Sequence, residues 1–155
     1  MIRLAPMTEA EFSSYLALAI DHYAQGHIES GNWSKEEAHE RSANEFRTLL
    51  PDGLRSKDQH LHTLVDDSSH RVGMIWFGVR AEAGQPAAWI WDFHVWDEFQ
   101  GHGYGRQALS ALDEAVRTLG LSRIGLHVFA HNEAAKHLYD TSGYVATSIV
   151  MRKEL

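Results

Sequence analysis

The residues most suited to chemistry form a glycine-rich turn in the middle of the chain. The segment reads Gln100-Gly101-His102-Gly103-Tyr104-Gly105-Arg106. A glycine-rich turn that leads directly into a helix presents unpaired backbone N–H groups at the positive end of the helix dipole. Because glycine has no Cβ, the backbone can approach phosphate oxygens closely. The sequence therefore predicts an anion site here, with phosphate as the expected guest.

The elements on either side of the turn are a strand and a helix. Before the turn, two sets of residues alternate, as expected of a strand with two faces: Trp89, Trp91, Phe93 and Val95 against Ile90, Asp92 and His94. After it, apolar residues recur at helical spacing: Ala108, Leu109, Leu112, Ala115, Val116 and Leu119. The turn is therefore predicted to be held between a strand end and a helix start.

Two well-known phosphate-binding motifs fit this turn poorly. A Walker-type loop requires Lys-Ser/Thr after its last glycine, whereas Gly105 is followed by Arg106 and Gln107. A dinucleotide-binding fingerprint follows the first strand of a βαβ unit. Here the strand is preceded by a predicted antiparallel hairpin, and the glycine spacing differs. Both nucleotide readings are therefore disfavoured.

Composition narrows the class of protein. The sequence has 155 residues, 44% hydrophobic and 23% charged, which predicts one globular domain over residues 1–155. The formal net charge of −7 disfavours nucleic-acid binding and favours a cationic small molecule or peptide amine. No cysteine is present, which excludes disulfides and thiol nucleophiles. Without a signal-peptide pattern or a long apolar run, we expect a cytoplasmic protein and no membrane partner.

The remaining patterns predict an α/β domain with ten elements. Thr8 with Glu11, and Ser34 with Glu37, are capping pairs that begin helices predicted to end near residues 25 and 50. The stripe of the first helix comprises Phe12, Tyr15, Leu16, Ala19 and Ile20. Strands are predicted at residues 2–4, 60–65, 71–80, 89–95, 122–129 and 144–151, with a short helix at residues 133–141. His60 and His62 share a strand face, but without further ligands no metal site is predicted.

Two motifs together resemble the GNAT superfamily of N-acetyltransferases. The first is Gln100-x-x-Gly103-x-Gly105, and the second is Asn132-x-x-Ala135-x-x-Leu138-Tyr139, followed by Gly143-Tyr144. They cover residues 90–144 in the order typical of that superfamily. The resemblance implies the acyl-CoA N-acyltransferase fold, in which a mixed central sheet has an antiparallel N-terminal meander and flanking helices.

The resemblance also implies a reaction. The cosubstrate would be acetyl-CoA, and the acetyl group would pass to a primary amine by direct attack in a ternary complex. The acceptor could be a small amine, an aminoglycoside-like antibiotic or a peptide or protein amino group. The alternatives are a non-catalytic acyl-CoA-binding sensor or regulatory module, and O-acylation or transfer of a longer acyl chain. Homodimers are common in this superfamily, so a second copy is one expected partner.

By the same resemblance, individual residues acquire roles. The backbone of Phe93 and Val95 would hold the pantetheine arm, and the Val95 N–H would polarise the thioester carbonyl. The other cofactor-binding candidates are Gln100, Gly101, His102, Gly103, Tyr104, Gly105, Arg106, Asn132 and Lys136. Asn132 is explained equally well as a helix N-cap.

The catalytic candidates are Tyr139, Asp92 and His94. Tyr139 would assist the departing thiolate or else serve as a core aromatic. Asp92 and His94 would handle the acceptor amine or its water, or else be structural. The loop between the first two helices supplies the acceptor-site candidates Glu29, Asn32 and Trp33.

Overall fold

The computed structural model describes residues 1–155 and places helices on both sides of one sheet. The strands are β1 (Arg3–Pro6), β2 (Gln59–Val65), β3 (Arg71–Glu82), β4 (Gln85–Val95) and β5 (Ile124–Leu126). The helices are α1 (Glu9–Glu29), α2 (Lys35–Leu49), α3 (Tyr104–Thr118) and α4 (Glu133–Thr141). None of these helices has the length and apolarity that a membrane span requires.

The sheet is mixed and its strands lie in chain order. Strands β1 to β4 pair antiparallel, which is the predicted N-terminal meander. Strand β5 pairs parallel to β4 through three residue pairs, from Ala88 with Ile124 to Ile90 with Leu126. A parallel pair needs a crossover connection, and α3 supplies it. The predicted α/β fold with a mixed sheet is confirmed.

Two apolar cores lie on opposite faces of the sheet. The larger core joins the sheet to α3 through fully buried residues such as Ile75, Phe77 and Leu112. The second joins the other face to α1 and α2 and includes Phe46 and Trp76. Each such side chain contributes about 1.5–3 kcal/mol by leaving water. The sheet between the cores is thereby fixed as the platform for the site.

Helix α1 is longer than predicted, because the glycine expected to end it lies inside the helix and packs against an aromatic ring. The predicted capping box is present, since Thr8 Oγ1 accepts from the Glu11 N–H and Glu11 Oε1 accepts from the Thr8 N–H. Gly26 does not end the helix, which continues to Glu29. A Cβ on Gly26 would lie 2.5 Å from Cε2 of Phe129, so the missing side chain makes room for that ring. Glycine here serves packing.

The prediction of a final strand at residues 144–151 is wrong. These residues form no strand, and Val145, Ile149 and Val150 are 80%, 76% and 93% exposed. The segment is attached at its start, where the Tyr144 N–H donates to the Tyr139 carbonyl, and near its end through Arg152. Alternating apolar residues favour a strand, but a strand also requires a paired neighbour. The paired part of β5 is likewise shorter than residues 122–129.

Candidate active site

The glycine-rich turn has the geometry of an anion site. Gly101 and Gly103 have φ angles of +80° and +78°, which bend the chain into the start of α3. None of the backbone N–H groups of residues 101–106 donates to a backbone carbonyl. These donors lie at the positive end of a 15-residue helix. The arrangement suits the pyrophosphate of a nucleotide cofactor without requiring a lysine.

The side chains of the turn attach it to the rest of the fold. Gln100 Nε2 donates to the Val95 carbonyl at 2.9 Å, and His102 Nδ1 lies 3.1 Å from the Phe99 carbonyl. The Tyr104 hydroxyl donates to Asp66 at 3.0 Å, and Arg106 donates to the Thr141 carbonyl at 3.0 Å. Gly105 lies in the first turn of α3. The groups left for an anion are therefore backbone N–H groups.

Strands β4 and β5 separate beside this turn. Their pairing ends at Ile90 with Leu126, so residues 91–95 have no neighbour on the β5 side. The Trp96 N–H donates to the Val72 carbonyl of the preceding hairpin at 2.8 Å. Since successive residues of a strand point their N–H groups to opposite sides, the Val95 N–H points into the opening. The Phe93 N–H is already bonded to Asp92 Oδ1 at 2.9 Å.

A β-bulge changes the simple alternation expected of β4. Trp76 pairs with Asp92 while Phe77 pairs with Ile90, so Trp91 is the extra residue. Trp91 consequently packs into the α1 and α2 core, and Asp92 bonds to a residue of α1. The predicted strand face that carries Trp89, Trp91, Phe93 and Val95 together is therefore wrong. Such bulges re-aim side chains next to active sites.

Asp92 is held by a tyrosine that the sequence pattern assigns only to an apolar stripe. The Tyr15 hydroxyl donates to Asp92 Oδ2 at 2.6 Å. Burial raises the pKa of Asp92 above its ordinary value, whereas the hydrogen bonds from Tyr15 and the Phe93 N–H oppose that rise. Burial, together with the Asp92 charge, raises the pKa of Tyr15 well above its usual range, so Tyr15 stays a donor. The sequence pattern does not indicate this role because the Tyr15 ring fits the apolar stripe. The one signal in the sequence is the phenol itself, since a buried tyrosine hydroxyl needs a hydrogen-bond partner.

A cleft of about 1200 Å³ opens beside Asp92, between α1 and the separated strands. Tyr139 reaches it from α4 with its ring 6.4 Å from that of Phe93, which brings the predicted catalytic residues Tyr139 and Asp92 into one cavity. Burial raises the pKa of Tyr139, with smaller contributions from Tyr144 and Asp92. The phenol is thus a hydrogen-bond donor and a weak acid.

Some of the remaining predicted residues line the cleft, and others lie behind it. His94 lines the cleft, with Nε2 3.9 Å from Asp97. Glu29 also lines it and lies 3.2 Å from His131 Nε2. Trp33 is instead 8% exposed and stacks on His27 at 3.9 Å, in a small cluster behind the cleft.

Asn32, like Trp33, contacts His27 behind the cleft. Its Nδ2 lies 3.1 Å from His27 Nδ1, and its Oδ1 accepts from Arg152 at 3.2 Å. On α4, Asn132 is the N-cap, and its side chain accepts from the Ala135 N–H at 3.2 Å. Lys136 lies 3.8 Å from Glu133 on the surface of α4.

Comparison with known proteins agrees with this architecture. The Acetyltransferase (GNAT) family matches residues 20–144. The uncharacterised N-acetyltransferase YycN of Bacillus subtilis is 41% identical over 154 residues, which is 99% of each chain. The uncharacterised N-acetyltransferase YdgE of the same species is 38% identical over 98% of this chain and 97% of its own.

A more distant relative and the solved structure of YycN extend the comparison. A mycothiol acetyltransferase of Propionibacterium freudenreichii is 32% identical over 84% of this chain, which matches 39% of that enzyme's length. The crystal structure of YycN superposes on this chain with a TM-score of 0.94, covering 100% of this chain and 99% of YycN. The chain therefore belongs to the GNAT family and is an acetyltransferase.

Proposed function

We propose that this protein transfers the acetyl group of acetyl-CoA to a primary amine by direct attack in a ternary complex. The observation that carries the proposal is the position of Asp92, which meets the cleft beside the unpaired edge of β4. A carboxylate at that point can receive the proton that an attacking ammonium must lose. The alternative, an acyl-CoA sensor without turnover, does not require a proton-accepting carboxylate at the cleft.

The cofactor end of the site would be formed by backbone groups. Acetyl-CoA supplies an activated acetyl thioester, and members of this family generally use it. The six free N–H groups of residues 101–106 fit its pyrophosphate. The opening between β4 and β5 fits the amide-containing pantetheine arm, with the Phe93 carbonyl and the Val95 N–H as partners. The Val95 N–H would stabilise the charge that develops on the thioester oxygen.

The acceptor end uses side chains. Asp92 accepts the amine proton directly or through a water, and His94 and Glu29 contact the acceptor. The amine nitrogen then forms a bond to the acetyl carbon while the carbon–sulfur bond breaks. Tyr139 donates a hydrogen bond to the departing sulfur. A CoA thiol resembles cysteine, with a pKa of about 8.5, so its thiolate leaves without full protonation in the transition state. The nitrogen loses its second proton to the departing thiolate, so the products are an N-acetyl amide and free CoA.

Thiol release from acetyl-CoA across a panel of amines tests the proposed function. Wild-type protein is expected to release CoA in proportion to acetylated amine, identified by mass spectrometry. Release that does not depend on an amine would contradict direct attack. Tight acetyl-CoA binding with no release for any amine would favour the sensor.

Tyr139→Phe is expected to lower kcat by about 10²-fold while leaving the Kd for acetyl-CoA nearly unchanged. The reason is that the hydroxyl acts on the sulfur only as the bond breaks, whereas the ring keeps its packing. Tyr144→Phe is the matched control, because its ring lies 5.4 Å from Tyr139 and its buried hydroxyl has no partner. Steady-state kinetics and calorimetric titration separate the two effects. Equal rates for the Tyr139 variant and the control would reduce Tyr139 to a packing role.

A further inference from the structure

The turn between β2 and β3 is built around one carboxylate. Asp66 Oδ1 accepts from the backbone N–H groups of Ser68 and His70, both at 2.9 Å. The backbone closes the same turn, because the Asp66 N–H donates to the His70 carbonyl and the Ser69 N–H donates to the Asp66 carbonyl, both at 3.0 Å. An aspartate that accepts from the N–H two residues later is typical of a tight turn. One oxygen of Asp66 is thus used within its own turn.

The second oxygen of this carboxylate bonds to the first residue of α3. The Tyr104 hydroxyl donates to Asp66 Oδ2 at 3.0 Å, and His70 Nδ1 lies 3.2 Å from the same oxygen. Although burial acts to raise it, the hydrogen bonds from His70, Tyr104 and Ser68 hold the pKa of Asp66 below its ordinary value. The side chain of Asp66 is 8% exposed, so water competes little for its oxygens. Asp66 therefore joins the hairpin to the start of α3 as an ionised acceptor.

The glycine-rich turn, in contrast, has little packing of its own. Gly101, His102 and Gly103 are exposed. Nothing lies within 4 Å of where a Cβ on Gly101 would be. Apart from its chain neighbours, Gly103 has only Gln107 Nε2 that close to its own Cβ position, at 3.9 Å. A segment with so few contacts is ordered by what holds its ends.

Two long-range hydrogen bonds hold the end of the turn where α3 begins. Tyr104, the first residue of α3, donates to Asp66, and Arg106 donates to the Thr141 carbonyl at 3.0 Å. The other side-chain bonds of the turn reach back only to residues 95–99. Arg106 is exposed, whereas Tyr104 is half-buried and its ring packs against the larger core. The bond to Asp66 is therefore the better shielded of the two long-range attachments.

We propose that Asp66 is a positioning residue for cofactor binding and acts through the Tyr104 hydroxyl. A carboxylate does not itself hold a pyrophosphate, because both are anionic. Its bond to Tyr104 instead fixes the first residue of α3, and with it the direction of the N–H groups of residues 104–106. A turn that is ordered beforehand loses less conformational freedom when the anion binds, so the affinity is higher. This inference rests on the proposed pyrophosphate site and specifies what holds its donors in place.

Tyr104→Phe tests this role on the full chain with two acetyl donors. Acetyl-CoA carries the pyrophosphate, whereas S-acetylpantetheine has the same thioester and pantetheine arm without it. If only about one molecule in ten keeps the ordered turn, the apparent Kd for acetyl-CoA rises about tenfold. We therefore expect the KM for acetyl-CoA to rise about tenfold, while kcat and the KM for S-acetylpantetheine stay nearly unchanged. Calorimetric titration with CoA and with pantetheine makes the same comparison without turnover.

Thr118→Val is the matched control, because it removes a different hydroxyl of α3, which donates to the Glu114 carbonyl at 2.9 Å near the other end of the helix. It should leave the KM for both donors unchanged. A loss of the same size for both donors in Tyr104→Phe would overturn the inference, since a general loss of structure does not distinguish them.

Variants of Asp66 show whether the Tyr104 hydroxyl acts through this carboxylate or contacts the cofactor itself. Asp66→Ala is expected to raise the Kd for CoA about as much as Tyr104→Phe, and adding Tyr104→Phe to it should change little. Asp66→Asn should keep most of the affinity, because its oxygen can accept within the turn while its amide donates to the Tyr104 hydroxyl. Thermal melts establish that each variant is folded.

The outcomes separate this inference from the proposed function. A full Tyr104→Phe effect in the Asp66→Ala background would overturn the role of Asp66, and so would an Asp66→Asn variant as weak as Asp66→Ala. If Asp66→Ala does not fold, Tyr104→Phe and Asp66→Asn still decide the question. Thiol release with no amine would overturn the proposed function, whereas the calorimetric comparison of CoA with pantetheine would still test Asp66.

Discussion

Replacing Asp92 with asparagine is expected to lower kcat about 10²–10⁴-fold, the range typical of losing a general base. Asparagine keeps the size of the side chain and can still accept from Tyr15, which donates at 2.6 Å. It cannot take a proton from the attacking ammonium. Steady-state kinetics with saturating acetyl-CoA measures the change. A variant that keeps wild-type kcat would show that Asp92 is structural.

The pH profile provides an independent check on Asp92. A base acts only when deprotonated, so activity falls as pH drops through its pKa. Because burial raises the pKa of Asp92, the acid limb of kcat/KM is expected above the ordinary range of an aspartate. The groups that face Asp92 are Tyr15 and His22 of α1, His94 of β4 and Tyr139 of α4.

Tyr15→Phe tests whether the Tyr15 hydroxyl stabilises the ionised form of Asp92. The Tyr15 hydroxyl stabilises the ionised carboxylate, so its loss is expected to move the acid limb to still higher pH. The maximal rate above that limb should change much less than in the Asp92 variant. Tyr23→Phe is the control on the same helix, because Tyr23 also lines the cleft, whereas the hydrogen bond to Asp92 comes from Tyr15. A profile that does not move in Tyr15→Phe would contradict the coupling.

Gly103→Val is expected to abolish stabilisation by acetyl-CoA. In the wild type, a ligand at 100 times its Kd adds about 2.7 kcal/mol to the free energy of unfolding, or about 5–10 °C in Tm for a domain of this size. Gly103 has a φ of +78° at the start of α3, a conformation that is strained for valine. The turn must then rearrange, and its N–H groups no longer converge on an anion. A thermal melt with and without acetyl-CoA measures the loss.

Gly84→Val is the matched control for backbone strain. Gly84 has a φ of +79° in the turn between β3 and β4, and nothing lies within 4 Å of where its Cβ would be. Both variants are therefore expected to lose about 1–3 kcal/mol of stability. The control should keep the full acetyl-CoA shift. A shift retained by Gly103→Val would show that the turn does not bind the cofactor.

The glycine-rich turn that we propose for the cofactor could be predicted from sequence because its conformation depends on local structure. Gly101 and Gly103, which follow a strand and precede a helix, fix the turn by backbone geometry alone. The pattern at residues 133–141 likewise predicts a helix with the observed bounds, since Asn132 caps it within one turn. Short-range hydrogen bonds and apolar periodicity specify such features regardless of the rest of the chain.

Features that depend on distant neighbours could not be predicted. The segment at residues 144–151 has strand periodicity, but pairing requires a partner that periodicity does not supply. The bulge at Trp91 shifts the register of β4 against β3, and a one-residue slip reverses which face each later side chain occupies. The sequence pattern contains no sign of either.

The sequence by itself determined the family, the glycine-rich turn at the start of a helix, and the identities of Asp92 and Tyr139 as candidates. Tertiary structure alone decided that Tyr15 donates to Asp92 and that Tyr139 reaches the same cleft. Tyr15 and Asp92 are 77 positions apart, so their contact depends on how α1 packs across the bulged strand. The acceptor end of this protein is an arrangement of such long-range contacts. The glycine-rich turn proposed to bind phosphate is a property of one continuous segment, whereas the opening between β4 and β5 depends on strand pairing.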